Sequence, residues 1–224
     1  MKDGIEEKTK EPIPVLTWTL ILLNVVIYLW DRHFGFFGPG FVFSDLAMRP
    51  PEVVQAIKGT TDPFPLVTLF TSMFLHGGFL HLFANMMFLA VFGPPVEQAV
   101  GPWRFMLYYL AWGVFAAFCQ IYASPYRNVP TLGASGAIGG VLGCYFLLFP
   151  SNRLHVLIAG IWEFETKAWI LLGLWFLYQI FARQEGVANW AHVGGFLAGM
   201  VTVLVIGGRE AILRNHPELI EADD

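Results

Sequence analysis

The stretch TLGASGAIGG, Thr131–Gly140, opens an apolar run that continues as VLGCYFLLF and stops at Pro150. Glycine costs about 1 kcal/mol relative to alanine inside a helix, and a serine there adds nothing to hydrophobicity. A membrane helix that begins this way is built for close packing, for chemistry, or for both.

The rest of the chain makes it a membrane helix. The 224 residues suit one domain. Of these, 56% are hydrophobic and 13% charged, with a mean hydropathy of +0.58. An average soluble protein carries about 25% charged residues. A soluble fold of this size could not hide so much apolar surface, so the chain reads as an all-α polytopic membrane protein in contact with the lipid bilayer. Cys119 and Cys144 both fall inside apolar runs, and no structural disulfide is expected. There is no basic patch, so no nucleic-acid binding is expected. The mixed start MKDGIEEKTK is unlike an Arg-rich, acid-poor organellar presequence. The first apolar run lacks a small-residue cleavage pattern, so it is expected to be retained as a span.

A span takes about 20 apolar residues, with shorter ones tolerated. Six runs qualify: 13–30, 79–93, 105–122, 132–149, 168–182 and 187–208. LHVLIAGIW, 154–162, is too short and is expected at an interface or as an extension of the fifth helix. The connection from 31 to about 75 mixes FGFFGPGFVF with a short helix in SDLAMRPPEVVQAIKG, which is too apolar for a solvated linker. It is expected to be a structured, partly membrane-embedded loop between helices 1 and 2. The resulting division is a cytoplasmic tail 1–12, a six-helix core 13–208, and a polar tail 209–224 that is disordered or a short surface helix. With the N-terminus inside, eight Lys and Arg fall on the cytoplasmic side and five on the other, which favours both termini cytoplasmic. With no organellar presequence, the expected location is a bacterial cytoplasmic membrane. No internal repeat is visible, which argues against a transporter built from inverted repeats.

Polar side chains inside spans are costly and default to functional hypotheses. His81 and Asn85 lie in the second run, Ser135 in the fourth and His192 in the sixth. Even-numbered spans run in one direction, and each polar residue is near the start of its span. These groups therefore share one side of the membrane at similar depth, whatever the orientation. Ser135, Gly139 and Gly143 form a small-residue row, as do His192, Gly195 and Gly199, so the faces bearing serine and histidine are also those able to pack closely. An imidazole can take the proton that makes a serine hydroxyl nucleophilic. His81 and Asn85, at i and i+4, point the same way and can both donate to an oxyanion. Gly133 lets backbone approach a substrate closely. No acidic residue lies in any of the six runs, which leaves a Ser–His dyad. His76, just before the second run, is expected to be structural and to line the same cavity. His76, His81 and His192 could together hold a metal, but no carboxylate or thiol accompanies them. No metal or cofactor is expected.

At these residues the chain resembles the rhomboid family of intramembrane serine proteases. HGGFLHLFAN carries the family's His-x-x-x-Asn at His81 and Asn85, GASG its nucleophile at Ser135, and AHVGGFLAG its base at His192. The resemblance covers about 13–208 and implies a six-transmembrane-helix rhomboid-like bundle. It also implies a serine endopeptidase that cuts transmembrane protein substrates near the extracytoplasmic end of their helices. Ser135 would be the nucleophile, with His81, Asn85 and the Ser135 backbone N–H holding the oxyanion. PVEQAVG resembles the family's turn after the second span, with Glu97 as a hydrogen-bond acceptor at the helix end. The long loop and the short fifth span are the gate candidates that family behaviour implies. Two positions depart. Val67-Thr68 stands where many members have Trp-Arg in the long loop, and Gly139 where some have a tyrosine stacked on the histidine. A client-binding protein of the same fold without catalysis is the competing reading.

Overall fold

The computed structural model describes residues 13–35, 37, 43–158, 162–182, 186–214 and 216–221. The expected cytoplasmic tail 1–12, residues 36 and 38–42 of the long connection, and Arg183 lie outside the described residues. The first apolar run forms α1, Val15–Asp31. The long connection holds two short helices, α2 (Pro50–Ile57) and α3 (Thr68–Thr71), with one 3-10 turn before α2, one between them and one after α3. The remaining apolar runs form α4 (Phe79–Val100), α5 (Pro102–Ala123), α6 (Ser135–Leu148), α7 (Ala168–Phe181) and α8 (Asn189–Val205). Two short helices follow, α9 (Gly208–Leu213) and α10 (Pro217–Glu221). By length and composition, α4 and α5 are long and apolar enough to cross a membrane, while α1, α6, α7 and α8 are shorter apolar helices of 14 to 17 residues.

The centre of the molecule is α6, packed against α4, α5, α7 and α8. Its interface with α8 explains the glycines. A Cβ on Gly195 would overlap the carbonyl oxygen of Gly136, and one on Gly199 that of Gly140. From the other side, a Cβ on Gly143 would overlap the Phe196 carbonyl. The two small-residue rows thus interlock backbone to backbone, and any side chain would force the helices apart. Outward positions are large and apolar, among them Leu22, Leu80, Leu107, Leu174 and Val205. That shell suits lipid.

Three local expectations fail. α4 does not stop at Gly93; it runs through Pro94 and Pro95 to Val100 and ends at Gly101, whose φ of 85° favours glycine. The extra turns carry Glu97, which is buried, so the six helices do enclose an acid. Its carboxylate accepts hydrogen bonds from Leu16 N, Thr17 N and Thr17 Oγ1 at 2.7–2.9 Å, satisfying free N–H groups at the start of α1. Glu97 is an acceptor at a helix end, but the end belongs to α1. Third, the segment from residue 154 does not extend α7. β1 (Arg153–Ile158) and β2 (Trp162–Lys167) form an antiparallel hairpin with His155 opposite Glu165 and Val156 opposite Phe164. The segment alternates, with Arg153, His155, Glu163 and Glu165 on one face and Leu154, Val156 and Phe164 on the other, and period two is a strand pattern. The fold is therefore mostly helical with one hairpin, not all-α.

From residue 43 on, the long loop is structured. Phe43 N donates to Asp31 Oδ1, Thr71 Oγ1 to the Leu46 carbonyl, and Arg32 Nη2 to the carbonyls of His76 and Gly77. The first and last of these tie the loop to the end of α1, and the second ties the loop to itself, without a Trp-Arg pair at Val67-Thr68.

Candidate functional site

The backbone that leads into α6 is hung from the long loop. Met48 and Thr131 exchange N–H···O bonds of 3.1 and 2.7 Å, and Gly133 N donates to the Ser72 carbonyl at 2.8 Å. Gly133 sits at φ +119°, a region that disfavours side chains. Ser135 then opens the helix, where the first N–H groups have no intrahelical acceptor and the helix dipole is positive.

From the neighbouring helix α8, His192 meets it. Ser135 Oγ and His192 Nε2 are 2.8 Å apart, within hydrogen-bond range. The other ring nitrogen, Nδ1, lies 2.8 Å from Gln179 Oε1 on α7, and Asn189 Nδ2 donates to that same oxygen at 2.9 Å. The Trp175 ring flanks the imidazole at 5.9 Å between centroids and 32° between planes. No tyrosine could stand on α6 for this purpose, because a Cβ at Gly139 already comes within 2.9 Å of the His192 carbonyl.

His81 and Asn85 face this pair from α4. Gly77 N donates to His81 Nδ1 at 3.4 Å. A neutral His81 therefore carries its proton on Nε2 and offers it as a donor. The Asn85 side chain is buried, and its amide nitrogen has no hydrogen-bond partner. A Cβ at Gly133 would stand 2.7 Å from His81 Nε2 and 3.6 Å from Asn85 Nδ2. The glycine keeps open the space into which both donors point.

His76 does not line this space. It stacks edge-on behind His81, 5.2 Å between centroids, with its side chain buried. Burial pushes its imidazole down to about 3, with His81 adding to the shift, so His76 is neutral and supports His81 from behind. Among the described residues, His, Cys, Asp and Glu make no group of three able to hold a metal ion.

Ser135, His192, His81 and Asn85 line one cavity of about 580 Å³, together with Gln120, Ile138, Leu142 and Trp175. The sequence reading missed Gln179, Gln120, Asn189 and Trp175. Gln120 is buried and accepts from Ala191 N at 3.3 Å, which steadies the first turn of α8. Gln120 and Gln179 each interrupt an apolar run, so the rule that singled out Ser135 and His192 applies equally to them. Chemically, the arrangement offers a hydroxyl with a proton acceptor in contact, an acceptor behind that imidazole, and a set of donors across a cavity.

Comparison with known proteins identifies the family. The rhomboid domain family profile matches residues 63–209. The chain is 33% identical over 140 residues to the rhomboid protease GluP of Bacillus subtilis, covering 62% of this chain and 26% of that protein. It is 31% identical over 195 residues to the chloroplastic Rhomboid-like protein 11 of Arabidopsis thaliana, covering 84% and 64%. With the rhomboid protease AarA of Providencia stuartii it shares 28% over 204 residues, covering 82% and 69%. The aligned part spans between a quarter and two thirds of the length of the first two of these relatives. By the match over most of its helical core, the chain belongs to the rhomboid family, a membrane-embedded family that includes serine proteases.

Proposed function

We propose that this chain is an intramembrane serine endopeptidase that hydrolyses peptide bonds in or near the transmembrane segments of other membrane proteins. The observation that carries this reading is the 2.8 Å contact of Ser135 Oγ with His192 Nε2 in a cavity faced by an unpartnered Asn85 amide. His192 takes the Ser135 proton as the hydroxyl oxygen attacks the scissile carbonyl, then returns it to the leaving amine. Asn85 Nδ2, His81 Nε2 and the Ser135 backbone N–H hold the negative oxygen of the tetrahedral intermediate. Water then enters by the same cavity, loses a proton to His192 as it attacks the acyl carbonyl, and His192 passes that proton to Ser135 Oγ as the carboxylic acid leaves. No metal or cofactor takes part.

The six apolar helices each cross the bilayer, with both termini in the cytoplasm. At 1.5 Å per residue, α6 is ~21 Å long against a hydrocarbon core of ~30 Å. A 14-residue span works because the Leu132–Gly133 approach is non-helical inside protein and lines a wet cavity, where irregular backbone is tolerated. The site thereby lies below the outer surface, and substrates reach it as helices that unwind near their extracytoplasmic end. In this topology the β1–β2 hairpin faces the cytoplasm. Labelling of a cysteine placed in it by an impermeant reagent, from outside intact cells, would overturn the arrangement.

The deciding experiment is labelling of the purified protein in detergent with a fluorophosphonate probe, beside Ser135→Ala and His192→Ala. The wild type labels and both variants do not. A folded wild type that stays unlabelled would leave a client-binding protein, with Ser135 as a packing residue.

A further inference from the structure

We propose that Gln179 is a positioning residue for the Ser135–His192 pair, so that the imidazole is set for base work by α7 and not by the helix that carries the nucleophile. This rests on the protease reading for its consequence, but its geometry stands without it.

For His192 Nε2 to receive the serine proton, the ring's own proton must sit on Nδ1. An N–H there needs an acceptor, and Gln179 Oε1 meets it at 2.8 Å. A glutamine amide could offer oxygen or nitrogen. Asn189 Nδ2 donates to the same Oε1 at 2.9 Å, so the oxygen is the end held toward the ring. Gln179 thus selects the tautomer with a bare Nε2, and does so as a neutral group.

The surroundings of Gln179 point the same way. Near the end of α7, Leu177, Tyr178, Ile180 and Phe181 are all exposed, and the polar residue among them is the one that is buried, at 6% exposure. An apolar setting makes an unmatched amide costly. The bonds to His192 and Asn189 therefore dock this end of the helix. Trp175, one turn earlier on the same face, flanks the ring. Docking of α7 and orientation of the base are therefore coupled: a displacement of α7 frees the imidazole. Gly139 leaves α6 with nothing to replace that hold. α6 and α7 carry no charged residue, and the other titratable groups lining the cavity are His81 on α4 and Arg127 ahead of α6.

Two variants separate positioning from mere packing: Gln179→Met removes the acceptor at similar size, and Gln179→Glu keeps an acceptor and adds charge. The readouts are the ring-nitrogen NMR shifts of 15N-histidine-labelled protein in detergent, with His192 assigned by its loss in His192→Ala, and the pH profile of cleavage of a transmembrane reporter substrate. In the wild type the His192 proton is on Nδ1. In Gln179→Met both tautomers appear and kcat falls about 10- to 100-fold, part of the 10²–10⁴ that a placed general base supplies, with KM within about twofold. In Gln179→Glu the Nδ1 proton stays, most of kcat returns, and the acid limb of the profile moves up by about one pH unit because a carboxylate favours the imidazolium. An unchanged tautomer in Gln179→Met, or an unmoved acid limb in Gln179→Glu, overturns the proposal. If Gln179→Met does not fold, the profile of Gln179→Glu decides alone. A wild type that cleaves nothing, while its tautomer still changes in Gln179→Met, keeps the positioning role and removes the protease reading instead.

Discussion

α6 and α7 are both 14 residues long and both reach His192, yet ten residues of α6 are buried against three of α7. α6 is held by shape: glycines at Gly136, Gly140 and Gly143 lie against the backbone of α8, so its position relative to His192 has almost no freedom. α7 is held near its end by two hydrogen bonds to one amide oxygen. The difference separates two requirements of a serine–histidine pair. The separation of the two backbones comes from close packing, which is stiff. The tautomer and tilt of the ring come from a polar contact on a helix with far fewer buried residues, and undoing it leaves a buried amide unmatched.

The largest effect should come from spoiling the stiff half. Gly195→Val puts a branched side chain onto the Gly136 carbonyl, where backbone and not a flexible side chain must yield. Overpacking commonly costs about 1–3 kcal/mol and here should reach or exceed the top of that range. Thermal melts in detergent should show a large fall in Tm, with loss of fluorophosphonate labelling. A variant that melts with the wild type and still labels would show that α6 and α8 are looser than their glycines imply.

Next in size is a change on the far wall that leaves both helices alone. Asn85→Ala removes a buried donor with no protein partner, so the resting fold loses little while the transition state loses a contact. kcat should fall about 10²–10³-fold, the range for one oxyanion donor, with Tm unchanged. A matching fall in Tm would instead make Asn85 a packing group and weaken the case for the oxyanion site.

The site was legible in proportion to how isolated its polar groups are. Ser135, His192, His81 and Asn85 stand out because each interrupts an apolar run, and parity alone puts them on one side. Gln179 interrupts its run just as plainly, but a glutamine names no reaction, and its meaning depends on a histidine 13 residues away on another helix. Trp175 resembles the lipid-facing aromatics around it until its distance to the ring is known. Glu97 finds its partners 80 residues earlier, beyond any local pattern. The hairpin at 153–167 was concealed for another reason: its alternation is short, and LHVLIAGIW taken without its charged flanks reads as a plain apolar segment. The six apolar helices followed from hydropathy, with the end of α4 displaced because Pro94 and Pro95 look like a stop. In the folded chain that end continues, and its Glu97 secures α1.

The smallest expected effect tests the loose half. Leu172 and Leu177 both lie on α7, but Leu172 is 1% exposed and Leu177 48%. Leu172→Ala should cost about 2–5 kcal/mol, because it empties packed space against the bundle. Leu177→Ala removes apolar surface that faces outward, and a substitution away from packed or bonded features is usually within about 0.5 kcal/mol. If α7 is latched by Gln179 and packed through Ala168, Leu172, Trp175 and Phe176, Leu177→Ala should leave both Tm and kcat near wild type. A clear fall in kcat at unchanged Tm would mean that the outer face of α7 is itself read by the substrate. The helix would then be part of the docking surface, and the contrast with α6 would be one of function as well as of packing.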